Sequence, residues 1–228
     1  MPLFQLFKPT IHSVVAIWQI SEDETTLVQP LEQKDALLAE SYKRFSSSTR
    51  RVEWLAVRRL LYELSNNKLN ISYLPSGKPQ LNDKTYRISI SHTRGYAAIF
   101  LHHGEEEIGL DIEQISNKVE RVRHRFLSEK ELMFAEENLK ERQTKLLLMW
   151  SAKETLYKIM DIEGVDFSEH LHIHAFRLSE QGRFQAESSY VGKEMNYSVY
   201  YLLHPDFVMT YAISGREVIQ QEIDLPTL

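Results

Sequence analysis

Two carboxylates set two residues apart carry the first sign of chemistry in this chain. In Ile108-Gly109-Leu110-Asp111-Ile112-Glu113 apolar residues alternate with Gly109, Asp111 and Glu113. That is the period of a strand, and it sends Ile108, Leu110 and Ile112 to one face and the other three to the opposite face. Residues two apart on a strand stand roughly 7 Å from each other, so a hard divalent cation between them takes an oxygen from each. Gly109 is expected to leave open space beside the pair. About forty residues later, Trp150-Ser151-Ala152-Lys153-Glu154-Thr155-Leu156-Tyr157-Lys158 reads as helix and adds a third carboxylate with two ammonium groups. A cation flanked by lysines suits a polyphosphate substrate.

The elements that must position these residues are legible in outline. Val14 to Ile20 is a β-branched apolar run closed by the polar turn Ser21-Glu22-Asp23-Glu24, a buried first strand. Leu31 to Phe45 has helical spacing at Leu37, Leu38, Tyr42 and Phe45. Ser46 to Thr49 supplies an N-cap for a strong helix over Arg50 to Leu64, whose stripe is Val52, Leu55, Ala56, Leu60 and Leu64. Arg51 and Arg58 share a neighbouring face. Pro75-Ser76-Gly77-Lys78-Pro79 is a constrained loop displaying Lys78. Arg87 to His92 and Tyr96 to Leu101 read as strands about the turn Thr93-Arg94-Gly95, and Ile108 to Glu113 follows as a third, an antiparallel meander.

Helices are expected over Val119 to Phe126, Glu129 to Asn138, where Ser128 and Glu131 form a capping box, and about Lys140 to Met160. Leu171 to Phe176, Phe184 to Glu187, Tyr197 to Leu203 and Val208 to Ile213 read as strands of a second sheet. Each half runs helix first and ends in a hairpin, a hint of internal duplication. Residues 1–105 and 106–228 are therefore expected to be two α+β halves.

Composition excludes several classes of function. The chain has 228 residues, 43% hydrophobic and 26% charged, with no apolar run approaching the roughly 18 residues that span a bilayer. No membrane insertion is expected. With no cysteine and no signal-peptide pattern after Met1, a cytoplasmic address is expected. A net charge of −5 argues against a general nucleic-acid binder. Two local basic clusters stand out: Arg50, Arg51, Arg58 and Arg59, and Arg121, Arg123, His124 and Arg125.

Taken in order, Gly77-Lys78-Pro79, Ser91-His92, Gly109 to Glu113, and Trp150 to Glu154 with Lys158 resemble the 4'-phosphopantetheinyl transferases, specifically the surfactin-synthetase-activating type. The resemblance covers roughly residues 31 to 160. It implies the α+β fold of that superfamily, with two pseudo-twofold-related halves meeting at a coenzyme A site, and Mg²⁺ held by Asp111, Glu113 and Glu154. It further implies transfer of the 4'-phosphopantetheine arm of coenzyme A to a serine hydroxyl of an apo acyl or peptidyl carrier protein, with release of 3',5'-adenosine bisphosphate. Such enzymes carrying both halves in one chain act as monomers.

The chemistry asks for these residue types independently of the resemblance. A pyrophosphate repels an attacking oxygen unless a cation and fixed positive side chains absorb the charge developing on the leaving group. The catalytic candidates are Asp111, Glu113, Glu154 and Lys158. Lys153 and Lys158 are expected on phosphate oxygens, and His92, beside Ser91, donates to a phosphate as the matching family histidine does. By resemblance Lys78, Arg51 and Arg58 bind coenzyme A, the arginines at its 3'-phosphate with support from around Lys34 and Lys43. Glu154, Glu113 or a metal-bound hydroxide stays open as the base. Arg121, Arg123, Arg125 and Phe126, with Leu127, are expected to dock the acidic carrier.

Each residue also has an ordinary explanation. Glu154 and Lys158, at i and i+4, make a surface pair worth about 0.3–0.5 kcal/mol. Asp111 and Glu113 suit a solvated edge strand, His92 a strand-end structural histidine, Trp150 the core. The competing functions are a magnesium-dependent nucleotide pyrophosphate hydrolase and a non-catalytic relative that binds coenzyme A or a carrier protein.

Overall fold

The computed structural model describes residues 3–33, 40–66 and 68–215. The chain divides into two compact units, one reaching Glu105 and the next starting at Glu106. The first opens on strands β1 (Leu3–Phe7) and β2 (Ser13–Gln19), followed by helix α1 (Glu24–Glu32), a 3-10 turn at Ser41–Arg44 and the long helix α2 (Ser48–Ser65). A small hairpin, β3 (Ile71–Tyr73) and β4 (Pro79–Leu81), precedes β5 (Tyr86–Thr93) and β6 (Tyr96–His103). The antiparallel sheet runs β1-β2-β6-β5. Helix α2 buries Leu55, Ala56, Leu60 and Leu61 in the same core as Ala16, Trp18, Ala97 and Ile99.

The second unit contains β7 (Ile108–Gln114), α3 (Lys118–Val122), a 3-10 turn at Arg123–Arg125, α4 (Glu129–Glu136), α5 (Arg142–Met160) and α6 (Phe167–His170). Strands β8 (Leu171–Ile173), β9 (Gln181–Tyr190), β10 (Lys193–Leu203) and β11 (Phe207–Ile213) complete an antiparallel sheet in the order β7-β11-β10-β9-β8. Its core gathers Leu146, Leu147, Met149, Ala152 and Leu156 of α5 with Val199, Val208 and Ala212. The fold class is α+β, as the sequence predicts. The two units also share a wiring. In each, a leading strand (β2, β7) pairs with the last strand (β6, β11), which pairs with the strand before it (β5, β10), and a long helix lies between them in sequence.

Several expected elements differ from those observed. Strand β1 is additional: Leu3, Gln5 and Phe7 are half-buried while Phe4 and Leu6 face out, a short edge pattern easily read as irregular chain. Helix α1 starts before Leu31, because Asp23 is not the end of a turn but an N-cap that accepts from the Thr26 amide at 2.8 Å. Pro30 sits inside its last turn. Leu37 and Leu38 lie outside the described residues, as does Lys34. The expected three-strand meander is two strands only, since β7 leaves the β5–β6 hairpin and pairs with β11 in the second sheet. The expected helix over Val119 to Phe126 breaks at Val122 into the 3-10 turn. Ser47 caps α2, and the Ser128–Glu131 capping box is present.

Candidate active site

Gly109 determines how closely helix and strand approach. A Cβ built on it would lie 2.2 Å from the Thr155 carbonyl oxygen, so it gives no open space beside the carboxylates, contrary to expectation; the backbone of α5 fills that space. Hydroxyls hold the helix there. Thr155 Oγ1 and Ser151 Oγ lie 2.7 Å and 2.9 Å from Thr210 Oγ1 on β11, and Thr210 is the register partner of Asp111. We expect Gly109→Ala to destabilise the protein by roughly 1–3 kcal/mol or more, the scale of forced overpacking, because the obstructing atom is backbone. Urea unfolding reads the loss; a change within 0.5 kcal/mol, roughly the scale of a neutral surface substitution, would disprove the close-packing argument.

With the helix seated on β7, one row of α5 meets the acidic face of the strand. Trp150 Nε1 donates to Glu113 Oε1 at 2.8 Å, and Lys158 Nζ lies 2.9 Å from Asp111 Oδ1 while donating to the Leu110 carbonyl at 2.8 Å. Trp150 and Lys158 stand eight residues, about 12 Å, apart along the helix, whereas Glu113 and Asp111 stand about 7 Å apart on the strand, so the two long side chains lean inward to reach the pair. Glu154, midway between Trp150 and Lys158, therefore faces both strand carboxylates. Its electrostatics agree. Burial, and then the charge of Asp111, pushes the Glu154 carboxyl up to about 7, with a further push from Glu113 against the pull of Lys158. Burial and Asp111 push Glu113 up as well. Lys158 thus pairs across to the strand, and Asp111, expected off the core, is buried at 4% exposure because α5 covers it.

Three carboxylates with one ammonium leave a negative surplus in a desolvated place. As placed, Asp111 engages Lys158 and Glu113 engages Trp150, and among the described residues no three acidic or imidazole side chains are gathered closely enough to hold an ion. The donor chemistry fits a hard divalent cation all the same: the groups are oxygen donors, and the mutual repulsion that raises Glu113 and Glu154 is what such an ion relieves.

Lys153 is the principal correction. It is expected on a phosphate, but its side chain is 0% exposed and its ammonium is fully used. Nζ donates to the Phe126 carbonyl at 2.7 Å, to Glu131 Oε2 at 2.8 Å and to the Phe167 carbonyl at 2.9 Å. Three N–H bonds exhaust an ammonium. Glu131 in turn accepts from the Ser128 and Ile173 amides, each at 2.8 Å. The node ties α5 to α4, to α6 and to the end of the basic segment. No local signal marks it, because a lysine on a helix reads as solvated until its burial is seen.

The same node corrects the docking segment. Phe126 and Leu127 are buried at 1% and 3% exposure, Phe126 edge-on to Trp150 at 5.0 Å, so neither offers an apolar tip. Arg123 is half-buried and bonded to the Glu120 side chain and carbonyl, each at 2.8 Å. Arg121, His124 and Arg125 are exposed.

In the first unit, Arg51 donates to Glu24 at 2.8 Å and to the carbonyls of Phe45 and Ser46, which fastens α2 to the chain before it. Arg58, expected at a phosphate, is buried: its guanidinium lies 3.2 Å from the Trp54 ring centroid, and burial pushes it down to about 10. Both arginines serve packing. Arg50 is exposed, Arg59 pairs with Glu63 at 2.6 Å and Lys43 with Glu40 at 2.7 Å. Lys78 is half-buried in the tight turn joining β3 to β4, where Gly77 takes a φ of +88°. Ser91 is buried on β5, and His92 beside it is exposed with Nδ1 3.1 Å from Glu53. Sequence reasoning misses Glu53.

Residues 107–212, a little under half of the chain, match the model of the 4'-phosphopantetheinyl transferase superfamily. That stretch holds Asp111, Glu113, Trp150, Glu154 and Lys158, and the match supports a transferase that moves phosphopantetheine. No curated protein matches the chain. Among the described residues no helix is long and apolar enough to cross a membrane.

Proposed function

We propose that this protein transfers the 4'-phosphopantetheine arm of coenzyme A to a serine hydroxyl of an apo acyl or peptidyl carrier protein, as the surfactin-synthetase-activating type does, and releases 3',5'-adenosine bisphosphate. The observation that carries this reading is the row Trp150, Glu154 and Lys158 set against Glu113 and Asp111.

In this reading Asp111, Glu113 and Glu154 hold Mg²⁺, whose chemistry is to neutralise pyrophosphate oxygens and draw charge from the leaving group. Trp150 fixes the rotamer of Glu113. Lys158, half-buried and within reach of Asp111, turns its ammonium to a phosphate oxygen as substrate binds. The serine oxygen attacks the β-phosphorus, the bond to the bridging oxygen on the α-phosphate breaks, and that oxygen leaves on adenosine bisphosphate. We assign the serine proton to Glu154, which takes it directly or through a water, as a carboxylate beside the cation is placed to do. Lys78, Ser91 and His92 bind coenzyme A. The exposed Arg121 and Arg125 attract the acidic carrier. The enzyme works as a cytoplasmic monomer, with both halves supplied by one chain.

Intact-mass measurement of an apo carrier protein, incubated with coenzyme A, Mg²⁺ and the enzyme, tests this. Addition of the phosphopantetheine mass supports it, and Asp111→Asn is expected to abolish the addition. Adenosine bisphosphate released without carrier modification would point to a hydrolase, and neither product would point to a binding protein.

A further inference from the structure

Glu53 is a charged residue in an apolar place. On α2 it is followed by the buried Trp54, Leu55, Ala56 and Val57, and it is itself only 9% exposed. A buried carboxylate is costly unless it is hydrogen-bonded or paired. Its Oε2 lies 3.1 Å from Nδ1 of His92, one of the last residues of β5. The two side chains differ sharply in access. That of Glu53 is 12% exposed and that of His92 is 39% exposed, so the carboxylate sits behind the ring and the ring faces outward.

We propose that Glu53 is a positioning residue that fixes the tautomer and orientation of His92 so that Nε2 is presented to a phosphate of coenzyme A. A carboxylate has lone pairs only, so the shared proton resides on Nδ1. Nε2 is then the edge left for a ligand. When an anion approaches, a proton on Nε2 makes the ring a donor to it, and the Glu53 charge behind balances the imidazolium formed. The proton on Nε2 is exchanged with solvent and returns there when the anion leaves; no covalent bond changes. A histidine without a partner at Nδ1 rotates about its side-chain bonds and spends binding free energy on being ordered. This assignment rests on the transfer reading for the identity of the anion, but the geometry of the pair does not.

The test separates orientation from mere stability. Long-range ¹H–¹⁵N correlation spectra of the wild-type protein in alkaline buffer are expected to show the neutral His92 ring carrying its proton on Nδ1. Glu53→Met keeps the volume and removes the acceptor, and it should shift His92 toward the Nε2–H form. Glu53→Gln, whose amide oxygen still accepts, should retain the wild-type spectrum. In kinetics, Glu53→Met is expected to raise KM for coenzyme A roughly tenfold, the scale for removing a partner that orients a histidine, with a smaller change in kcat. In a His92→Ala background the same substitution should add nothing. Retention of the Nδ1–H form in Glu53→Met, or an additive loss in that background, overturns the assignment. Absence of carrier modification by the wild-type protein falls on the transfer reading instead, and the tautomer measurement still decides this one.

Discussion

Glu154→Gln is expected to end carrier modification and, in the absence of divalent ions, to make the protein more resistant to unfolding above neutral pH. The two effects share one cause. In the folded protein burial and Asp111 push the Glu154 carboxyl from 4.5 to about 7. Between those values the folded state holds the proton more tightly than the unfolded chain does. Stability is therefore full below about 4.5 and is lost as pH rises through about 7. At 1.36 kcal/mol per decade the loss is on the order of 3 kcal/mol, as an upper bound for a half-buried group. Glutamine has no proton to lose, so the variant should lose less stability than the wild type across that window, with Glu113 contributing what remains. Activity is lost because the variant gives up both an anionic ligand for the cation and the proposed proton acceptor; a fall of a thousandfold or more is expected. Urea melts at pH 5 and pH 8, with and without Mg²⁺, measure the first effect and intact mass the second. A wild-type protein no less stable at pH 8 than at pH 5, beside an equally flat variant, would sink the electrostatic account.

Lys153→Met is expected to cost about 3–5 kcal/mol of stability, the range for breaking a buried ion pair by removing one partner. The substitution leaves Glu131 charged and enclosed, and it strips the Phe126 and Phe167 carbonyls of their donor. Transfer should fall with it, because Lys153 precedes Glu154 on the same turn of α5. The combination Lys153→Met with Glu131→Gln should recover part of the stability, since no unpaired charge then remains buried. A single-variant loss below about 1 kcal/mol, the range of exposed ion pairs, would mean that the node is not structural.

What the sequence makes legible depends on whether a feature is local. The carboxylate spacing in β7, the stripe of α2, the N-cap at Ser47 and the Ser128–Glu131 box are all written within a few residues. Each is found where the pattern places it. Trp150 against Glu113 and Lys158 against Asp111 are separations of 37 and 47 residues, and only the motif order pointed to their meeting. Lys153 is not legible for the same reason. Its charge suggests solvent or phosphate, whereas its environment comes from Phe126, Glu131 and Phe167, none of them within a helical turn. Gly109 shows the opposite lesson: a glycine beside two acids reads as room for a ligand, and packing uses that room for a helix.

The partner of β7 carries a further consequence for how the protein is made. The strand bearing Asp111 and Glu113 pairs with β11, so Asp111 waits for Thr210. A ribosome must synthesise almost a hundred residues after Glu113 before that neighbour emerges. Contacts so distant in sequence close slowly, and an unpaired strand is prone to join other chains meanwhile. A product cut short before Phe207 would hold every acidic and basic residue named for the reaction, yet it would lack the strand that gives them an address.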